Sequence, residues 1–289
     1  MDNVTPADLV EATVAAAAKK AHLGVTDMVL RGTMSGAILG IATSLVFVVL
    51  AQGLPAIVGA LLFPVGFVIL VLLGLELVTG NFALMPQAVA AGRISIVELG
   101  RSWLWVYVGN LIGSLGYAVL FWFAVTYAGH DDGGQLAEVT RAIATKKTIA
   151  YVHHGAPGWT ASLVKAVLCN WMVTIGTVLA FVSRSTVGKI TAMWLPITIF
   201  FAHGYEHSVV NMFVIPTGML MGADISVSDW WLWNQIPVTV GNIIGGGVFT
   251  GLALWFTHGR SARATIPTPA HDVAGVATDV PRLADVRSA

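Results

Sequence analysis

Two apolar stretches of this chain are interrupted by the same polar pattern. GLELVTGNFALMP occupies residues 74–86 and GYEHSVVNMFVIP occupies 204–216. Gly74 and Gly204, Glu76 and Glu206, Asn81 and Asn211, and Pro86 and Pro216 all share one separation of 130 positions. A weaker echo follows in VGNLIG (108–113) and VGNIIG (240–245), separated by 132. Fixed spacing of identical polar residues in corresponding interrupted runs marks a duplicated chain. The interruption itself reads as a discontinuous membrane helix, because the apolar pieces flanking the second one are each too short to span.

The remaining apolar runs set the frame. A helix needs roughly 20 apolar residues to cross a bilayer. Runs near 34–52, 103–127, 161–182 and 236–257 meet this directly. The interrupted runs add a second and a fifth span, one starting near Ala56 and the other near Thr191. Six spans fall into two halves of three. An odd number per half places the halves in opposite orientations, so the expected fold is an all-α integral membrane protein built as an inverted repeat with its second and fifth helices broken. Composition agrees: 56% of residues are hydrophobic and 10% charged, where soluble domains carry about 25% charged residues.

Loop charge predicts the orientation. Lys19, Lys20, Arg31, Arg93, Arg101, Arg184, Lys189, Arg260 and Arg263 flank the spans on one side. The other side has an uncharged turn at 52–55, a stretch at 223–235 with only Asp224 and Asp229, and a mixed 128–160 loop. The positive-inside rule then puts both termini in the cytoplasm of a cell-membrane protein. Residues 1–24 carry charges where a signal peptide has its apolar core. They read as a cytoplasmic amphipathic helix with Thr5 as cap, Pro6 in the first turn and Asp8 completing a box-like start. The transmembrane domain is expected over 25–258, and 259–289, rich in Ala, Pro, Thr, Val and Asp, as a disordered cytoplasmic tail.

The two interruptions are the candidate site. Non-helical backbone at membrane depth must be buried or line a cavity. Half-helix N-termini carry partial positive charge. Glu76 and Glu206 are expected to accept hydrogen bonds from the freed amides, with Thr79, Ser208, Asn81 and Asn211 satisfying others. Zero formal net charge argues against a nucleic-acid partner. Converging half-helix ends in a neutral chain, with no Lys or Arg cluster, suit a small monoanion better than a phosphate. His207 is the ionisable residue inside the fifth span, and such a residue is expensive to bury without a function. The lone Cys169 supports neither a disulfide framework nor a cysteine metal site. No metal or cofactor is expected.

LELVTGN in the first break, KAVLCNW (165–171) and GYEHSVVNMFVIP resemble the signatures of the formate/nitrite transporter family, and FPVGF (63–67) and VGNLIGS fit as well. The resemblance covers about residues 25–258. It implies an aquaporin-like six-span protomer, a homopentamer with one pore per protomer, and passage of formate, nitrite and similar small monoanions. By motif, His207 stands for the family's central pore histidine and Asn170 for the polar residue facing it. Thr79, Leu77 and Val78 belong to the loop of the first break. Phe63, Phe67 and Phe200, with Val173 near, stand for the apolar constrictions, and Asn211 supports the second break. One position departs from the pattern: a lysine usual 16 residues before the Asn of CNW is His154 here. His154 then becomes the vestibule residue, unless a shifted loop lets Lys146 or Lys147 serve.

The expected function is pH-dependent, proton-coupled transport of small monoanions through His207, with a proton and the bilayer as the other partners. One alternative lies within transport and one in another class. An aquaporin-type pore for neutral solutes lacks its Asn-Pro-Ala breaks here. A membrane enzyme lacks HExxH, GxSxG or clustered carboxylates outside the two breaks.

Overall fold

The computed structural model describes residues 3–259. The proposed tail, with Arg260 and Arg263, lies outside the described residues except for Gly259. The described chain is helical apart from turns and one isolated bridge between Asn3 and Ser183. Its helices are α1 (Pro6–Ala21), α2 (Val25–Ala51), α3 (Ala56–Leu62), α4 (Pro64–Leu72), α5 (Val78–Ala90), α6 (Ile96–Thr126), α7 (Gly134–Lys147), α8 (Ile149–Leu179), α9 (Thr186–Ala202), α10 (Ser208–Leu220) and α11 (Val227–Gly259).

Helix α2, helix α6, the α7–α8 stretch and helix α11 are each long and apolar enough to cross a membrane. The segments Ala56–Leu72, Thr186–Ala202 and Ser208–Leu220 are apolar but shorter. Local sequence sets the helix starts. Thr5 Oγ1 accepts from the Asp8 amide and its hydroxyl donates to the Asp8 carboxylate at 2.7 Å, as the sequence suggested. Ser95–Glu98 and Ser226–Asp229 form capping boxes that start α6 and α11 well before their apolar runs begin.

The 128–160 segment is not a loop. Helix α7 fills 134–147, and α8 begins at Ile149. Ala137, Thr140 and Ala144 are buried, so a short polar helix with one small-residue face was invisible to a search for long apolar runs. Gly155, at φ 58°, breaks α8 between its first turns and its membrane part.

Two crossings form the core of the bundle. Helices α2 and α6 pack so closely that a Cβ on Gly113 would sit 1.8 Å from the Thr33 carbonyl oxygen. Helices α8 and α11 repeat this, with Gly245 against Val167 O at 2.2 Å. Apolar burial gives little drive between helices in lipid, so small residues that permit backbone approach carry the packing. Helix α1 packs on α5 and the end of α11, burying Val10, Val14 and Ala17 with Leu84, Met85 and Trp255. Helix α7 packs on α10 at the opposite end of the bundle.

Candidate functional site

The two breaks are built alike. Helix α4 ends at Leu72, and Gly74 at φ 65° turns the chain so that the Leu75 amide donates back to Leu70 O at 2.9 Å. Helix α9 ends at Ala202, with Gly204 at φ 64° and the Tyr205 amide donating to Phe200 O at 3.3 Å. These are left-handed glycine caps that use up the last carbonyls. The chain then runs extended for three residues and restarts as α5 or α10.

The freed amides at the restarts do not go to the glutamates, contrary to the sequence expectation. Asn110 on α6 accepts from the Val78 amide at 2.9 Å and donates to Gly32 O and Glu76 O, each at 2.9 Å. Asn242 on α11 accepts from the Ser208 amide at 2.8 Å and donates to Ala166 O and Glu206 O at 2.9 and 3.0 Å. Each asparagine ties a break to a neighbouring span. Glu76 instead accepts from Lys20 Nζ at 2.7 Å and Asn81 Nδ2 at 2.9 Å. Glu206 accepts from Lys147 Nζ at 2.9 Å, Tyr151 OH at 2.7 Å and Asn211 Nδ2 at 2.7 Å, with Asn234 Nδ2 at 3.3 Å. Both carboxylates are buried and paired, which is the condition for keeping a charge at this depth.

Two cavities approach the breaks from opposite ends. The one on the α7 side holds about 180 Å³ and is lined by Thr43, Phe47, Lys147, Phe200, Glu206 and His207 among others. The one on the α1 side holds about 190 Å³ and is lined by Lys20, Phe67, Leu77, Asn81, Thr177 and Phe181 among others.

His207 lines the α7-side cavity. Its Nδ1 accepts from the Val210 amide at 3.2 Å, so the ring hydrogen of the neutral form is on Nε2. That hydrogen faces Thr79 Oγ1 at 3.0 Å. Thr79 is flanked in sequence by Gly80 and Val78, next to Leu77, and both Leu77 and Gly80 line the α1-side cavity. Asn170 Nδ2 donates to Thr79 O at 3.1 Å and to Asn242 O at 2.6 Å, while its buried Oδ1 has no partner among the described residues. The aromatic residues pack around the histidine. Phe200 stacks on His207 at 5.8 Å, Phe63 meets Phe200 edge-on at 5.7 Å, and Phe63 stacks on Phe201 at 4.0 Å.

The sequence candidates therefore separate. His207, Phe200 and Glu206 line one cavity, and Leu77, Phe67 and Asn81 line the other. Thr79 and Asn170 sit in the layer between, tied to His207 or to each other. Val78, Phe63 and Val173 are buried behind the lining residues. Asn211 serves the Glu206 carboxylate and Asn234 rather than either cavity. His154 is exposed and lines a separate side cavity of about 320 Å³ with Lys146, Tyr151, Pro157 and Lys165. Three lysines, Lys146, Lys147 and Lys165, also line the α7-side cavity. The sequence reading of no Lys or Arg cluster was wrong, because the three come from two helices and meet only in the fold.

The family model for formate/nitrite transporters matches residues 7–256. The chain belongs to the formate/nitrite transporter family. A probable formate transporter of Methanothermobacter thermautotrophicus is 34% identical over 269 residues, covering 88% of this chain and 97% of that protein. The formate channel FocA of Escherichia coli (strain K12) is 33% identical over 227 residues, covering 72% of this chain and 76% of that one. Among solved structures, an FNT family ion channel superposes with a TM-score of 0.73 at 27% identity, covering 86% and 98% of the two chains. A pentameric formate channel with formate bound superposes with a TM-score of 0.66 at 30% identity, covering 80% and 96%. The chain is a multi-pass membrane protein of a transporter family, not an enzyme.

Within this family member, the residues that sequence reading passed over are Asn110, Asn242, Lys20, Tyr151 and Lys165. The VGN echo contained the signal for the two asparagines. Nothing local marks Lys20, Tyr151 or Lys165, whose partners lie 56, 55 and 14 positions away.

Proposed function

We propose that the protein moves small monovalent anions, formate and nitrite, across the cell membrane in a pH-dependent, proton-coupled manner with His207 as the relay. The observation that carries this reading is the His207 ring at the wall of the α7-side cavity, with aromatic residues around it and its Nε2 hydrogen on Thr79, whose neighbours Leu77 and Gly80 line the α1-side cavity. An anion entering either cavity meets a layer of Phe67, Leu77, Phe200 and Val210. Charge is poorly solvated there, and neutralising the anion removes that cost.

Imidazole is the side chain suited to such a transfer near neutral pH. In the proposed step His207 binds a second proton at Nδ1, and the Val210 amide gives up that acceptor. The Nε2 proton then passes to a formate oxygen, directly or through the Thr79 hydroxyl. The products are formic acid and neutral imidazole with its hydrogen on Nδ1. Thr79 and Asn170 are assigned the polar contacts of the centre, Phe63, Phe67, Phe200 and Val173 the apolar constrictions, and Glu76 and Glu206 the support of the breaks.

The same reading covers the assembly. The matched asparagine ties and glycine caps support two inverted halves of three spans with the second and fifth broken, as an aquaporin-like protomer. The pentameric formate channel it resembles supports a homopentamer. Helix α1 packs on the end of α11, which places both ends of the described chain on one side. The loop charges make that side cytoplasmic.

The test is uptake by liposomes containing the purified full chain, with formate and nitrite at several pH values, for the native protein and His207→Ala. Uptake that rises with an inward proton gradient and collapses in the variant is expected. Uptake carrying one net charge per anion at every pH would overturn the proton-coupled mechanism.

A further inference from the structure

The break that carries His207 is held at one more point than its counterpart. Ser208 and Val78 are corresponding residues, 130 positions apart, and each starts the helix that follows its break. Both amides end on an asparagine, Asn242 or Asn110. The Ser208 hydroxyl makes a further contact that valine has no atom to make. Its Oγ accepts from Gln235 Nε2 at 2.9 Å and pairs with Thr239 Oγ1 at 2.9 Å.

Gln235 is fully buried, and its bonds fix which way its amide points. The indole Nε1 of Trp230 can only donate, and it lies 3.1 Å from Gln235 Oε1. Both Nε2 hydrogens are then left for Ser208 Oγ and for Tyr107 OH, the latter at 2.8 Å. A buried amide with both its oxygen and its nitrogen engaged rigidifies what it touches. Gln235, Thr239 and Asn242 are spaced i, i+4 and i+7 on α11, so one face of that helix supplies the partners of both the Ser208 amide and its hydroxyl. A π-helical turn over Trp231–Gln235 leads into this face. Asn234, one residue before Gln235, reaches Glu206 Oε2 and Lys147 O. Adjacent residues on a regular helix diverge by about 100°. Here both address the same break from a widened turn, a feature frequent at functional sites.

Ser208 follows His207 directly. Tying its amide and its hydroxyl in two directions fixes the peptide between the two residues, and with it the direction in which the His207 side chain leaves the backbone. The ring has two contacts to keep, Nδ1 with the Val210 amide at 3.2 Å and Nε2 with Thr79 Oγ1 at 3.0 Å. Hydrogen bonds weaken steeply when misaligned. We infer that Gln235 is a positioning residue for His207: acting through the Ser208 hydroxyl, it sets how well Nε2 reaches Thr79. This inference rests on the proposed histidine relay.

The signature lies in the pH profile, which a mere loss of folded protein does not move. The Nε2 hydrogen is present in both the neutral and the charged ring, and its bond to Thr79 is the stronger in the charged one. Loosening that bond favours the neutral ring, so the pH of half-maximal uptake moves down. Glu206, Lys147, Tyr151, Tyr205, Lys146 and Lys165 share the His207 cavity, and Glu76, paired with Lys20, belongs to the break that carries Thr79. Among the described residues none of these bonds to Gln235, whose side-chain partners are Trp230, Tyr107, Ser208 and Thr239. The experiment measures formate uptake against pH in liposomes containing the full chain, for the native protein, Gln235→Leu, Ser208→Ala and the two together. Each single variant is expected to lower the pH of half-maximal uptake on the order of half a unit. The double variant is expected to match Ser208→Ala, because Gln235 then has no hydroxyl to act through. A native midpoint in Gln235→Leu would overturn the inference, as would a double variant whose shift is the sum of the two. Should Gln235→Leu fail to fold, Ser208→Ala removes only the hydroxyl, and a native midpoint there overturns the inference equally. Absence of formate flux in the native chain, or flux indifferent to pH, would instead overturn the relay reading itself.

Discussion

Replacing Asn242 with Leu tests whether the buried asparagines hold the broken helices. The side chain makes three hydrogen bonds of 2.8–3.0 Å, to the Ser208 amide, Ala166 O and Glu206 O, and is fully buried. Leucine is close to it in size, fills the space and leaves no room for a replacement water. Three lost bonds at about 1 kcal/mol each, plus the desolvation of an orphaned amide, come to about 4 kcal/mol. For a chain of this length that corresponds to roughly 5–10 °C in apparent melting temperature. The smaller Asn242→Ala leaves space for water and loses about half as much. The assay is thermal unfolding of the purified protein in detergent at one fixed scan rate, with formate uptake measured alongside. Asn110→Leu gives a loss of similar size, because its three partners correspond. A melting temperature within 2 °C of native for both leucine variants, with uptake intact, would refute the idea that these asparagines hold the breaks.

Two further outcomes follow from the same contacts. Glu206→Gln strands the Lys147 ammonium beside a neutral amide, and breaking a buried pair in this way costs about 3–5 kcal/mol; Glu76→Gln costs less, since Lys20 is more exposed and the carboxylate has fewer partners, and chemical unfolding of the two variants ranks them. Gly245→Ala drives a methyl group to 2.2 Å from Val167 O and destabilises by about 1–3 kcal/mol or more, whereas Gly116→Ala meets nothing within 4 Å and leaves stability unchanged or slightly higher, both read from melting temperature.

Much of this architecture was legible in the chain itself. Hydropathy is a local, additive property, so apolar runs announce membrane helices without knowledge of the fold. The interruptions announced themselves because glutamate, asparagine and histidine are costly inside such runs. Their shared spacing showed that the two breaks are counterparts. The motifs around Asn170 and His207 were enough to suggest the family, and the family match over residues 7–256 agrees.

The partners were not legible. Glu76 and Glu206 looked like acceptors for the freed amides because they are nearest in sequence, but an amide at the start of α5 or α10 points along its helix axis toward α6 or α11. The asparagines waiting there arrive from 32 and 34 positions away. Helix α7 escaped notice because it hides only a narrow face of small residues.

By itself, the sequence determined a membrane protein with paired broken helices, a buried histidine at one of them, and membership of one transporter family. Only the tertiary structure decided which groups satisfy the breaks, that His207, at the wall of the α7-side cavity, meets Thr79, and that three lysines gather at one mouth. The physical reason is that burial can be read from the residue itself, whereas hydrogen bonds and electrostatic fields depend on which distant residues the chain brings within a few ångströms.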